Sequence, residues 1–248
     1  MTEHSPTTRR IAVWNTFLDD NHPQHARVDQ LTKTISEQGQ FDVVALLEIQ
    51  KNKDGHSGEK IAQAISGTPG IWYPHSRKKR GEHIGMFGTD ISSQEDARQI
   101  DIGYSKLAVV TRLGDVAIAA VHLRRQFPPA HEQAEQMAAL LAHLEDEEKA
   151  IIMGDFNSLR LFNLLKTRRQ VENAGYESAF VLLGKPRVKS FPTDEFRGSH
   201  TRLERAGLAC LGGTINLDEI YTKGIAVTDA DSFEGRSDHR GLWVEYED

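Results

Sequence analysis

The sequence predicts a single layered α/β domain, on three observations. Apolar runs of strand length alternate with segments whose apolar residues recur at helical spacing. Four of those runs end in the same kind of polar residue: Asn15, Glu48, His122, and Asp155 with Asn157. No internal repeat, low-complexity tract or linker divides the chain, so residues 10–248 are expected to form one domain behind a disordered tail of residues 1–9.

The elements follow in order. Residues 10–15 (Arg-Ile-Ala-Val-Trp-Asn) read as a first strand with Ile11, Ala12 and Val13 buried. Over residues 25–38, Val28, Leu31 and Ile35 keep helical spacing, and Gly39 is the expected stop. Residues 41–48 form a second apolar run that terminates in a carboxylate, followed by a helix at 59–65. Strands are then expected at 71–73, 82–87, 106–113 and 115–123, with Leu113-Gly114-Asp115 as a hairpin signal. A helix over 132–145 carries Met137, Leu140, Leu141 and Leu144 as a core stripe. A helix over 161–173 follows the strand that begins at Ile151, and strands at 214–221, 225–233 and 241–247 close the chain. Residues 175–213, with glycines, prolines and scattered charges, give no clear element.

At 248 residues the chain can bury the core of one large two-sheet domain. Thirty Lys and Arg against 36 Asp and Glu give a net charge of −6, which excludes a global field drawing the protein to nucleic acid or anionic membrane. A polyanionic substrate would have to be met by local basic patches or by metal ions. The single Cys210 excludes an internal disulfide and reads as a small core residue in a reducing compartment. The polar opening carries Pro6 and no apolar core of a signal peptide, and no run approaches the roughly 18 apolar residues of a membrane span. A cytoplasmic, membrane-free monomer is expected.

The chemistry concentrates at Ile151-Ile152-Met153-Gly154-Asp155-Phe156-Asn157-Ser158. Positions two apart on a strand share a face, so Asp155 and Asn157 are expected to point the same way, with Phe156 anchoring the turn from the other side. Gly154 allows a close approach of backbone or ligand. A carboxylate beside an amide at the end of a buried strand suits a phosphate and its attacking water; the structural alternative is an Asx turn. Asn15, Glu48 and His122 have similar alternatives as turn residue, helix N-cap neighbour and packed histidine. Two further polar groups come late, Asp218 in Asn-Leu-Asp-Glu-Ile-Tyr and the triplet Ser237-Asp238-His239. In layered α/β folds, residues at several strand ends converge on one rim, where sites are built.

Taken in order, these motifs resemble the endonuclease/exonuclease/phosphatase superfamily, which includes pancreatic-type deoxyribonucleases, abasic-site endonucleases, neutral sphingomyelinases and inositol-polyphosphate 5-phosphatases. The resemblance spans Ile11 to Tyr246 and rests on the strands ending in Asn15 and Glu48, on Val121-His122-Leu123, Gly154-Asp155-Phe156-Asn157, Leu217-Asp218-Glu219-Ile220 and Ser237-Asp238-His239. It implies a four-layer α/β sandwich, two mixed β-sheets face to face with helices outside. Two departures stand out. Leu47 occupies the place of the Gln that usually precedes the metal-binding Glu, with Gln50 two residues beyond it. Ile49 and Gln50 follow where abasic-site endonucleases carry a Lys. Arg77 and Glu82 precede the strand 84–87 with a spacing similar to an Arg and Glu of pancreatic-type deoxyribonucleases, where the Glu partners the histidine matching His122.

The resemblance implies Mg²⁺, with Mn²⁺ as a substitute, held chiefly by Glu48 with Asp238 and Asn15 contributing directly or through water. It implies His239 held by Asp218, His122 paired with Glu82, Asp155 orienting or deprotonating the water, and Asn157 and Arg77 on phosphate oxygens. The expected activity is a metal-dependent phosphodiesterase or nuclease, with Arg77 to Arg80, Arg124-Arg125 and the segment Lys185 to Arg205 as local basic contacts. The alternatives are a phosphatase or phospholipase on inositol phosphates or sphingomyelin, and a non-catalytic binding module on the same fold. Membrane-active members would need an apolar anchor; Trp72-Tyr73 comes nearest and reads as core.

Overall fold

The first strand, β1 (Thr8–Asn15), shows why the strands read as unbroken apolar runs. Its Ile11 and Val13 enter one buried cluster while Ala12 and Trp14 enter another, so both faces are covered. The computed structural model describes residues 7–16, 24–52, 55–68, 70–74, 82–89, 91, 97–124, 131–157, 161–193 and 215–248. Within them, one sheet contains β1, β2 (Val43–Asn52), the two-residue β3 (Gly55–His56), β4 (Ile71–Pro74), β5 (Glu82–Phe87), β12 (Ala226–Phe233) and β13 (Gly241–Glu247). Its order is β12-β13-β1-β2-β5-β4, with β3 paired to β2. The second sheet, from β6 (Ala97–Gly103), β7 (Lys106–Leu113), β8 (Val116–His122), β9 (Ala150–Asp155), β10 (Glu177–Ser178) and β11 (Asp218–Lys223), runs β10-β11-β9-β8-β7-β6. Both are mixed: β1 is parallel to β2 and β8 to β9, while the remaining pairs are antiparallel.

The layers follow from side-chain parity. Ile11, Val13, Val43 and Ala45 of the first sheet meet Ile118, Ala120, Ile151 and Met153 of the second in the central core. On the outer face of the first sheet, Val28, Leu31 and Ile35 of α1 (Gln24–Glu37) and Ile61 and Ala62 of α2 (Ser57–Ser66) cover Ala12, Trp14, Val44 and Leu46. On the outer face of the second, Met137 and Leu140 of α3 (His131–His143) and Val171 of α4 (Leu161–Asn173) cover Ala117, Ala119, Val121 and Ile152. This is the four-layer α/β sandwich that the motifs imply.

Most elements lie where the periodicity puts them. Gly39 ends α1 with φ 95°, and β7 and β8 form a hairpin whose Leu113 and Val116 pair across Gly114-Asp115. Trp72 is buried as expected; its ring lies where a Cβ on Gly58 or Gly85 would sit, at 2.2 and 1.8 Å. Several expectations need correction. β1 begins at Thr8, so Thr8 and Arg9 belong to the sheet rather than to a tail. β6 was not legible, because as an edge strand it has only Ile100 and Ile102 buried among polar residues. β11 starts at Asp218 instead of Thr214. The segment without clear elements contains β10 and the one-turn α5 (Ala179–Leu182), both too short to show a period. Residues 1–6, Arg77 to Arg80, Arg125, residues 194–205 and Cys210 lie outside the described residues.

Candidate active site

Pairing register assembles the site. In the second sheet, His122 of β8 is level with Asp155 of β9, and Asp155 with Asp218 of β11. In the first, Asn15 at the end of β1 pairs with Leu47 of β2, next to Glu48, and β13 starts immediately after the triplet Ser237-Asp238-His239. Each strand brings its polar residue in on the same parity as its central-core side chains: Val13 then Asn15, Ala120 then His122, Met153 then Asp155, and Asp218 then Ile220. The site is thus the polar end of the layer between the sheets. Two contacts join them across it: Asn15 Nδ2 donates to Asp155 Oδ2 at 3.0 Å, and His122 Nε2 lies 3.4 Å from Glu48 Oε1.

Glu48 reaches this layer by an irregularity. Leu47 faces the central core, so Glu48 would by parity face the helices. Glu48 instead takes φ 56° at a β-bulge between Leu46 and Ile49, and Ile49 rejoins Leu46 in the outer cluster. The extra residue turns Glu48 inward, and a non-glycine residue in that conformation costs about 1–3 kcal/mol, as residues at functional sites often do.

Asp155 is the hub. Its Oδ1 accepts the backbone N–H of Asn157 at 2.7 Å, and its Oδ2 lies 3.8 Å from His122 Nε2 and 3.9 Å from His239 Nε2. Asn157, at φ 48°, donates Nδ2 to the Leu123 carbonyl at 3.0 Å. The Asx turn and the site are therefore one structure, not alternatives. Phe156 packs edge-on against Tyr221 on the outer side of β9, at 5.4 Å between ring centres. Gly154, at φ 150°, leaves no room for a side chain, since a Cβ would lie 1.9 Å from the Val121 carbonyl oxygen. Gly154→Ala is expected to destabilise the fold by roughly 2–3 kcal/mol, through strain at positive φ and overpacking of β8 against β9. An unchanged urea midpoint would show that β8 and β9 can part without cost.

Charge in the site is set by burial. Removal from water, and then the nearby Asp218 carboxylate, push the Asp155 carboxyl up to about 7. Burial acts against a charge on His239 as well, but the carboxylate of Asp218, whose Oδ2 accepts from His239 Nδ1 at 2.6 Å, outweighs it together with Asp155 and Asp238. The imidazole is held as imidazolium, its pKa pushed up to about 10. Asp218 Oδ1 is buried without a hydrogen-bond partner among the described residues, and Asp155, Asp218 and His239 offer ligand atoms within 4.8 Å of one another.

Several supporting residues carry no signal in a one-dimensional pattern. Residues 185–193 form a strap behind the Asp218–His239 pair. Ser190 Oγ accepts the N–H groups of Leu217 and Asp218 at 3.1 and 3.0 Å, the Phe191 ring lies 4.9 Å from the His239 ring, and Thr193 Oγ1 donates to the Ser237 carbonyl at 2.6 Å. Trp14 Nε1 donates to the His239 carbonyl at 2.9 Å, and Ser237 Oγ to that of Asn15 at 2.6 Å. On α3 the buried Gln133 donates to the carbonyls of Asn157 and Arg124, at 2.7 and 3.0 Å, and Gln136 accepts from Arg124 N at 3.0 Å. Their spacing from Met137 and Leu140, on the same stripe, was the one available clue.

Of the expected site residues, Asn15, Glu48, His122, Asp155, Asn157, Asp218 and His239 are brought together by these contacts. Asp238 adjoins them in sequence, its Oδ1 3.4 Å from Ser237 Oγ. Asn15 spends its amide nitrogen on Asp155, so only its carbonyl oxygen can serve a metal ion. The Glu82 backbone pairs with Gln50, but its side chain, like Arg77, lies outside the described residues, so the expected His122–Glu82 pair stays there too. Arg124 is matched by Glu132 at 2.9 Å.

Comparison with known proteins agrees with the fold. No curated protein matches the sequence. Among solved structures, a D. rerio TDP2 complexed with single strand DNA product superposes with a TM-score of 0.70 at 15% identity, covering 97% of this chain and 99% of that one. The 3' phosphatase NExo from Neisseria, bound to a product DNA hairpin, gives 0.69 at 13% identity over 96% and 99% of the two chains. A family protein from Bacteroides thetaiotaomicron gives 0.68 at 14% over 98% and 99%. The family model described as "Endonuclease/Exonuclease/phosphatase family" matches residues 12–239, from the middle of β1 to His239 itself, and the chain belongs to that family of phosphoric ester hydrolases.

Proposed function

We propose that the protein is a Mg²⁺-dependent phosphodiesterase acting on nucleic acid, with Mn²⁺ as a substitute ion. The observation that carries it is the placement of Asp155 Oδ2 between two imidazoles, at 3.8 Å from His122 Nε2 and 3.9 Å from His239 Nε2. A metal ion fits this site. Asp155 and Asp218 are buried against each other with one imidazolium between them, Asp218 Oδ1 lacks a partner among the described residues, and the oxygen donors Glu48, Asp238 and Asn15 suit a hard cation. Glu48, Asp238 and Asn15 would hold it, and when bound it supplies Lewis-acid neutralisation of phosphoryl charge.

The chain's own groups carry the protons. His239, held as imidazolium by Asp218, can donate from Nε2 to a phosphoryl or leaving-group oxygen. His122 faces Glu48 on the other side of Asp155, and Asp155 is placed to orient or deprotonate the attacking water. Asn157 keeps one amide hydrogen for a phosphate oxygen after serving Leu123. The His239–Asp218 pair and the second imidazole of His122, on either side of Asp155, suit a diester, whose poor alkoxide leaving group needs protonation.

The reading of nucleic acid draws support from the DNA products in the two similar structures and from the deoxyribonuclease-like spacing of Arg77 and Glu82. The acidic net charge implies salt-sensitive binding. A panel at low salt with Mg²⁺ or Mn²⁺ tests it: plasmid and single-stranded DNA, RNA, inositol polyphosphates and sphingomyelin. Cleavage of nucleic acid is expected. Phosphate release from an inositol phosphate, with DNA and RNA untouched, would overturn the substrate and leave the metal site standing.

A further inference from the structure

Beside the catalytic centre, on the flank where the edge strand β12 meets the strap, lies a cavity of about 460 Å³, a size typical of small-ligand sites. On a chain of net charge −6 its lining is of opposite sign: Lys185, Arg187, Lys189 and Arg240 against Asp231 alone. Three of those cations are matched, Lys185 by Asp229 at 2.7 Å, Arg187 by Glu219 at 2.9 Å and by Glu172 at 3.2 Å, and Arg240 by Glu234. Lys189 has no acidic partner among the described residues and is exposed. The cavity shares a wall with the catalytic centre. Arg240 directly follows His239 and donates its backbone N–H to the Ser190 carbonyl at 2.9 Å, while Phe191, between Ser190 and the lining Pro192, packs on the His239 ring.

We propose that this cavity is a second anion site, which holds a phosphate of the substrate strand beside the scissile one. The assignment to a strand rests on the nucleic-acid reading of the catalytic centre; the anion site itself does not. In a concave wall whose other cations are matched, the unmatched Lys189 ammonium is the group that offers an anion a local partner, even where the whole molecule repels it. A strand with one phosphate at Asp155 and another near Lys189 would be fixed in register without contact to its bases. A free phosphorylated small molecule offers the same chemistry, and the test separates the two sources.

The variants are Lys189→Glu and Ser232→Glu, the second adding negative charge from the β12 wall; both positions lie outside the catalytic contacts. The first arm is calorimetric binding of inorganic pyrophosphate in EDTA. Each variant is expected to weaken it about tenfold while His122→Ala leaves it unchanged; pyrophosphate binding indifferent to both cavity variants would overturn the anion site. The second arm is hydrolysis of a single-stranded 12-mer and of bis(p-nitrophenyl) phosphate, a diester with no second phosphate. Both variants should raise KM for the 12-mer about tenfold at unchanged kcat and leave the small diester unaffected. Lys189→Ala should lower the slope of log KM against log salt by about 0.7, the share of one phosphate on a single strand. Equal effects on both substrates, or none on the 12-mer, would overturn the strand assignment in favour of a free anion. A wild type that cleaves the small diester but no oligonucleotide would refute nucleic acid as substrate and the strand assignment with it, with pyrophosphate still deciding the anion site.

Discussion

His239→Ala is expected to lower turnover by about a hundredfold to ten-thousandfold, the span of a general acid or base lost from a positioned site. The residue does more than titrate near neutrality. Its Nδ1 is locked to Asp218 at 2.6 Å, and its pKa is pushed up to about 10, so Nε2 carries a proton across the physiological range. Asp218→Asn should therefore mimic the loss in part and move the alkaline fall of turnover down toward neutrality, because the neutral amide no longer stabilises the imidazolium. His122→Ala should cost at least about a hundredfold as well. Normal turnover in His122→Ala would reduce that residue to packing, and an alkaline limb unmoved in Asp218→Asn would refute the role given to the Asp218–His239 pair.

Glu48→Gln should leave the fold intact while lowering divalent-metal affinity at least about a hundredfold, since loss of even an outer-shell partner of a metal costs ten- to a hundredfold. The substitution keeps shape and removes the charge that the bulge in β2 turns into the site. Two readouts besides activity are available. Calorimetric titration with Mg²⁺, expected to show binding to the wild type, should lose its signal, and the rise in thermal midpoint expected of Mg²⁺ on the wild type should vanish, because an ion that binds only the folded state stabilises it by an amount that grows with its affinity. An undiminished Mg²⁺ titration in Glu48→Gln would move the metal elsewhere, with Asp155, Asp218 and His239 as the next set to test.

Much of this was legible in the chain itself, for a local reason. Strands buried on both faces must be apolar throughout, so a polar residue at the end of such a run marks where the layer between the sheets opens. Asn15, His122 and Asp155 are read that way because each continues the parity of its own strand, and parity is written in sequence. The hairpin at Gly114, the end of α1 at Gly39 and the tight approach at Gly154 likewise depend on single residues and their neighbours. Only the tertiary structure decided the rest. Strand order and register set Asp218 beside Asp155, from residues 63 positions apart, and brought Asn15 and Glu48 from one sheet onto Asp155 and His122 of the other. The inward turn of Glu48 depends on a bulge that its own strand pattern argues against. The strap that places Ser190 behind Asp218 and Phe191 on His239 has no period to read, since its backbone partners are loops and strand ends supplied by distant parts of the chain. Pattern carries what a residue must do within its own element; contacts between elements depend on packing, which no stretch of sequence contains alone.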